Sequence, residues 1–170
     1  MSKIPPRVYW DANAWIAYIR KEMPSQANQI KVPRYDWCRG VMRRAENREI
    51  EIVTSAFSLC EVVKRRGEAL DTSVNVAAFF DQPFVFLVDL GKPVGLKAQS
   101  LQLSGVNIKP ADATHVATAL TANVPVFHTF DGGLLDLDKV LTCNDGNQLR
   151  ILMPGKEVPV PELLRQMEDG

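Results

Sequence analysis

The chain has 170 residues, 46% hydrophobic and 24% charged, with a formal net charge of zero. That length and composition suit one domain with a real core, and the neutral balance excludes bulk electrostatic coating of nucleic acid. No apolar run approaches the roughly 20 residues needed to span a bilayer, and the opening MSKIPPRVYW lacks the apolar stretch of a secretory leader, so the expected location is cytoplasmic and away from membranes.

Residues 7–10 form a short β-prone run ending at Asp11, and Trp15, Ile16 and Ile19 fall at helical spacing over 13–20. Pro24 and Pro33 bracket a loop, after which 34–48 reads as a helix with Trp37, Val41 and Met42 on one side. Residues 49–53 alternate polar and apolar as a second strand. Thr54 and Ser55 then offer an N-cap for a helix over 56–66 that stops at Gly67. A short helix over 72–80 precedes FVFLV at 84–88, a continuous apolar run of the kind buried on both faces of a sheet. Helices follow over 94–104 and, from Pro110, over 111–122. Residues 126–129 make a strand broken by Asp131-Gly132-Gly133, and 149–153 make the last one. Residues 154–170 read as a short tail with an amphipathic stretch at 162–167.

Strands alternating with helices predict an α/β fold, a single domain over 1–170 with a largely parallel central sheet flanked by helices. Ligands of such sheets bind beyond the carboxyl ends of the strands, where Asp11 and Asp131 both fall. Cys38, Cys60 and Cys143 are odd in number and contain no CxxC pair, so buried free thiols are expected rather than disulfides or a zinc site.

Charge is unevenly distributed. Segment 31–50 holds six basic residues against three acidic ones, and Lys64, Arg65 and Arg66 add a second basic cluster. Segment 112–145 reverses the sign, with five aspartates against Lys139. A phosphate-binding rim around an acidic, cation-loaded centre has this pattern, and so do ordinary solvated helix faces.

Each acid has a bland reading beside the functional one. Asp11 can cap the first helix. Glu61 can belong to a capping box with Ser58 or pair with Arg65. Asp112 sits in a first helical turn, favoured by the dipole, with His115 on the same face. Asp131 can serve an Asp-Gly turn. Together, carboxylates delivered from separate elements to one sheet edge make an all-oxygen cage of the sort that suits magnesium or manganese. Such a cluster repels itself unless a cation neutralises it.

Four fragments, V-Y-W-D-A-N, S-L-C-E-V-V, A-D-A-T-H-V-A-T-A-L and V-F-H-T-F-D, resemble in order the motifs of PIN-domain nucleases, including the VapC-type toxins of toxin–antitoxin modules. The resemblance implies a PIN-like α/β/α fold and an Mg2+- or Mn2+-dependent endoribonuclease. Asp11, Glu61, Asp112 and Asp131 would be catalytic, with Asp11, Asp112 and Asp131 on the metal. Asn13 and Thr129 would support them, with His115 and Asp136 as further supporting residues. Arg39, Arg43, Arg44, Lys64, Arg65 and Arg66 are the candidates for RNA phosphates. The resemblance also implies a homodimer and a small antitoxin partner. Two departures stand out: the stretch 21–48 is longer than in compact toxins, and two glycines follow Asp131 where an aromatic often comes. The alternatives are a non-catalytic RNA- or protein-binding module on the same fold, and another magnesium-dependent α/β phosphohydrolase. The latter would usually show D-x-D at the first strand, where this chain has Asn13.

Overall fold

A computed structural model describes residues 4–26, 30–65, 68–69 and 74–156. Five strands form one all-parallel sheet: β1 (Arg7–Trp10), β2 (Glu51–Ser55), β5 (Val85–Val88), β6 (Val126–His128) and β7 (Arg150–Leu152), in the order β5-β2-β1-β6-β7. The helices are α1 (Ala12–Ile19), α2 (Arg34–Glu46), α3 (Ser58–Glu61), α4 (Ala77–Phe80), α5 (Lys92–Leu103), α6 (Pro110–Thr121) and α7 (Gly132–Leu135). Two two-residue strands, β3 (Lys64–Arg65) and β4 (Glu68–Ala69), pair antiparallel beside the main sheet.

Strand alternation sorts the core into two layers. Val8 and Trp10 of β1 and Ile52 of β2 point to a cluster with Trp15, Val41 and Met42 of α1 and α2. Tyr9 and Val53 point the other way, onto Val94 and Leu101 of α5 and Val116 and Leu120 of α6. Three alanines of α6, Ala113, Ala117 and Ala119, are fully buried, which lets that helix lie close to its neighbours. The result is the expected α/β/α sandwich.

The chain moves from β1 outward to β2 and β5, then returns to place β6 and β7 on the other side of β1. The order therefore reverses between β1 and β6, and a crevice opens at the carboxyl ends of those two strands. Asp11 directly follows β1, and Thr129 and Asp131 directly follow β6.

Three expectations fail locally. The helix expected over 56–66 is a single turn, because Thr54 and Ser55 stay in β2 against Leu87 and Val88 instead of capping. The β-branched pair Val62-Val63 then leads into β3 rather than extending the turn. Gly67, its expected stop, lies outside the described residues, as do 72–73 at the start of the helix expected over 72–80, which is seen as α4 alone. Finally, FVFLV is not buried on both faces: β5 is an edge strand, with Phe86 and Leu87 38% and 39% exposed. The Arg7 guanidinium lies 5.1 Å over the Phe86 ring and shields part of it. The 162–167 stretch lies outside the described residues. Among the described residues, no helix is long and apolar enough to cross a membrane.

Candidate active site

Asp11 is 2% exposed, and each of its oxygens has a partner. Oδ1 accepts the Ala14 amide at 2.9 Å, which caps α1, and Oδ2 accepts the Thr129 hydroxyl at 2.5 Å. The capping role read from the sequence is therefore filled by this side chain. Thr129 in turn accepts the Asp131 amide at 3.0 Å, tying the ends of β1 and β6 together. Asp131 caps α7 by accepting the Leu134 amide at 3.0 Å. A Cβ at Gly133 would stand 3.2 Å from Asp131 Oδ1, so the second glycine leaves room for that cap.

Glu61, at the end of α3, places Oε2 2.5 Å from His115 Nε2. His115, from α6, is buried and its other nitrogen, Nδ1, lies 2.7 Å from the Tyr9 hydroxyl. Tyr9 also accepts the Ser55 amide at 3.1 Å. Asp112, half-buried in the first turn of α6, faces the same space. Asp11, Asn13, Glu61, Asp112 and His115 together line a cleft of about 470 Å³. Asp131 does not line it but acts on it through Thr129 and through its charge on Asp112.

The electrostatics of the cleft are those of excess negative charge. Burial pushes the Asp11 carboxyl up to about 6, against the pull of His115, the Thr129 hydroxyl and the Ala14 amide, with Asp112 adding to the rise. Burial also raises Asp112, followed by repulsion from Asp131 and, more weakly, Glu61, with His115 and Lys109 opposing. Carboxylate oxygens crowded in this way fit a hard divalent cation in charge and donor type. Among the described residues, however, no three His, Cys, Asp or Glu side chains stand together as a ready ligand set. Asp11 is locked by its two bonds, so a ligand set would have to be completed by rotation of Asp112 or Asp131 toward it.

The remaining candidates scatter. Asn13 is exposed at the cleft mouth. Asp136 is exposed at the end of α7 and does not line the cleft. Arg39 and Arg43 are exposed on α2. Arg44 is not brought to the acids: it lines a cavity of about 500 Å³ at the opposite, amino-terminal end of the sheet, with Arg7 and Arg150. Lys64 and Arg65 form β3, three residues beyond Glu61, and Arg66 lies outside the described residues. Cys38 and Cys143 are buried free thiols as expected, but Cys60 is exposed on the cleft wall, on the single turn α3.

Sequence reading missed Tyr9, Phe57 and Cys60 as parts of this site. Phe57 packs its ring 5.7 Å from that of His115. Tyr9 lies in the β-prone run 7–10, and its ring stacks on Phe127 at 4.8 Å. A buried phenol needs a hydrogen-bond partner, which was the one available signal.

A family model described as the PIN domain matches residues 8–140. The crystal structure of the Mycobacterium tuberculosis VapC20 toxin, described as cleaving the sarcin-ricin loop, is similar in fold, with a TM-score of 0.54 at 18% identity. That match covers 74% of this chain and 90% of the toxin. No curated protein sequence matches the chain.

Proposed function

The chain belongs to the PIN-domain family, a family of nucleases, and on that premise we propose that it is a divalent-metal-dependent endoribonuclease serving as the toxin of a toxin–antitoxin module. The observation that carries this reading is the meeting of Asp11, Glu61 and Asp112 in one cleft at the sheet's switch point, with Asp11 and Asp112 both raised by burial first and by neighbouring carboxylates second. Likeness of fold to a toxin described as cleaving the sarcin-ricin loop supports RNA as the substrate and a small antitoxin protein as partner; a second copy of the chain is a further partner in this proposal.

In this reading Asp11, Asp112 and Asp131 would hold Mg2+ or Mn2+, which when bound would polarise a phosphate oxygen and acidify an attacking water. Thr129 keeps Asp11 in place, and Asn13 at the cleft mouth orients water or substrate. Glu61 holds one oxygen on His115 and takes the proton of the attacking water at the other, Oε1. Arg39 and Arg43 on α2, with Lys64 and Arg65 beyond α3, would bind backbone phosphates.

The test is cleavage of RNA by the purified chain with magnesium, with manganese and with chelator. Cleavage that persists in chelator would overturn the metal requirement. A second reading, a PIN fold that binds RNA without cutting it, is favoured by one observation, the absence of a ready ligand set among the described residues. Calorimetric titration with manganese separates the two: binding at micromolar to millimolar concentration supports the nuclease, and none supports the binding module.

A further inference from the structure

Glu61 sits at the end of a four-residue helix, followed by a two-residue strand. One helical turn is too short to be stable by itself, and a glutamate has three torsions to fix. Something other than its own element must hold the carboxylate. The contacts that do so run from the sheet to the helix packed on one face of it: Ser55 of β2, Tyr9 of β1 and His115 of α6.

We propose that Tyr9 and His115 form a one-directional hydrogen-bond relay that positions Glu61, so that Tyr9 is a positioning residue acting through His115. The proposal rests on the nuclease reading only for the consequence, not for the relay. The relay belongs to the neutral imidazole, which carries one proton; the pull on Asp11 and Asp112 belongs to the same ring when it is charged. The Glu61 carboxylate, 2.5 Å from Nε2, claims the one proton there, since two acceptors cannot meet at that distance. Nδ1 is then bare, and the Tyr9 hydroxyl donates to it across 2.7 Å. The Ser55 amide donates into the phenol oxygen at 3.1 Å, which leaves the phenol's own proton for Nδ1. The side chain of Thr118 also approaches the phenol but gives its own proton to the Thr114 carbonyl at 2.7 Å. The order is Ser55 N–H, Tyr9 O–H, His115 Nε2–H, Glu61 Oε2. It leaves Glu61, one of the residues lining the cleft, as an acceptor, and the His115 ring is kept from turning by Tyr9 and by Phe57 packed beside it.

The conservative variant Tyr9→Phe removes the hydroxyl and keeps the ring that stacks on Phe127. Two measurements test the relay on the full chain. Nitrogen-15 NMR of the imidazole in the wild type should show the Nε2–H tautomer with a hydrogen-bonded, unprotonated Nδ1. In Tyr9→Phe that Nδ1 signal should move to a non-hydrogen-bonded position. Cleavage kinetics should show kcat falling about ten- to a hundredfold, the usual cost of removing a partner that orients a functional ligand, with KM for RNA unchanged and thermal unfolding still cooperative. A protonated Nδ1 in the wild type, or a variant whose Nδ1 signal and kcat are both unaltered, overturns the proposal. A change in KM alone, with kcat kept, also overturns it. Should the wild type cut no RNA, the nuclease reading fails, and the wild-type and variant NMR spectra still decide the relay.

Discussion

The two ends of the central sheet handle charge in opposite ways. At the amino-terminal end, each arginine around the apolar cavity has a carboxylate: Arg7 with Glu51 at 2.8 Å, Arg150 with Asp138 at 3.1 Å, and Arg44 with Glu49 at 3.5 Å. Against the effect of desolvation, Asp138 is held below its usual range by the Ile151 amide and by Arg150. At the carboxyl-terminal end, acids face acids, and Asp11 and Asp112 are pushed up. The contrast separates carboxylates that stabilise the fold from carboxylates the fold tolerates, and the second kind points to function.

The strongest way to break that contrast is Asp112→Asn. It should reduce RNA cleavage about a hundredfold or more, since a metal clamp contributes several kcal/mol to the transition state, while the melting temperature holds or rises. Wild-type cleavage by this variant would place the chemistry elsewhere.

Asp11→Asn sharpens it through pH. The folded-state carboxyl is raised from 3.8 to about 6, so its contribution to stability is present in full below the unfolded value and is lost as pH rises through the folded one. Above that window, ionised Asp11 costs the fold about 3 kcal/mol. Asparagine can still accept the Ala14 amide, so the variant should melt above the wild type at pH 8, with the gain gone by pH 4. Manganese should raise the wild-type melting temperature and leave the variant unmoved. A variant that melts below the wild type at pH 8 would show that the cap and the Thr129 bond depend on the charge.

Asp138→Ala tests the other end, where the sign inverts. A depressed carboxyl stabilises above its unfolded pKa and loses that contribution as pH falls through the folded one. The loss at pH 7 should be about 1 kcal/mol, for the Ile151 amide bond, with cleavage unaltered. The smallest effect belongs to Arg7→Ala, at a salt bridge whose arginine side chain is 44% exposed. Such pairs contribute between about 0 and 1 kcal/mol, and RNA cleavage should not change. Chemical denaturation of both variants checks these values.

How much of this was legible in the chain follows from which signals are local. The β1–Asp11–α1 turn could be read from an apolar run, a capping residue and helical spacing, all within fourteen residues, 7–20. The helix from Pro110 was equally plain. The status of β5 was not, because a run of five apolar residues has the same letters whether one neighbouring strand covers it or two. The collapse of 56–66 to one turn was also hidden, since Thr54 and Ser55 cap well in isolation and only pairing with β5 keeps them extended. At the site, Asp11, Glu61 and Asp112 were named through the family motifs, while topology put only Asp11 and Asp131 at one sheet edge, and Asp131 does not line the cleft. The link from Glu61 to His115 joins residues 54 apart, and that from His115 to Tyr9 joins residues 106 apart. No periodicity reports such pairs.

The double duty of Asp11 and Asp131 bears on how this protein could change over descent. Each starts a helix with a carboxylate oxygen, and asparagine or serine would accept the same amide. A lineage released from cutting could therefore exchange both acids for neutral caps without losing α1 or α7, and at position 11 it would gain stability at neutral pH. A retired copy of this chain should be recognisable as a well-folded homologue with Asn or Ser at 11 and 131.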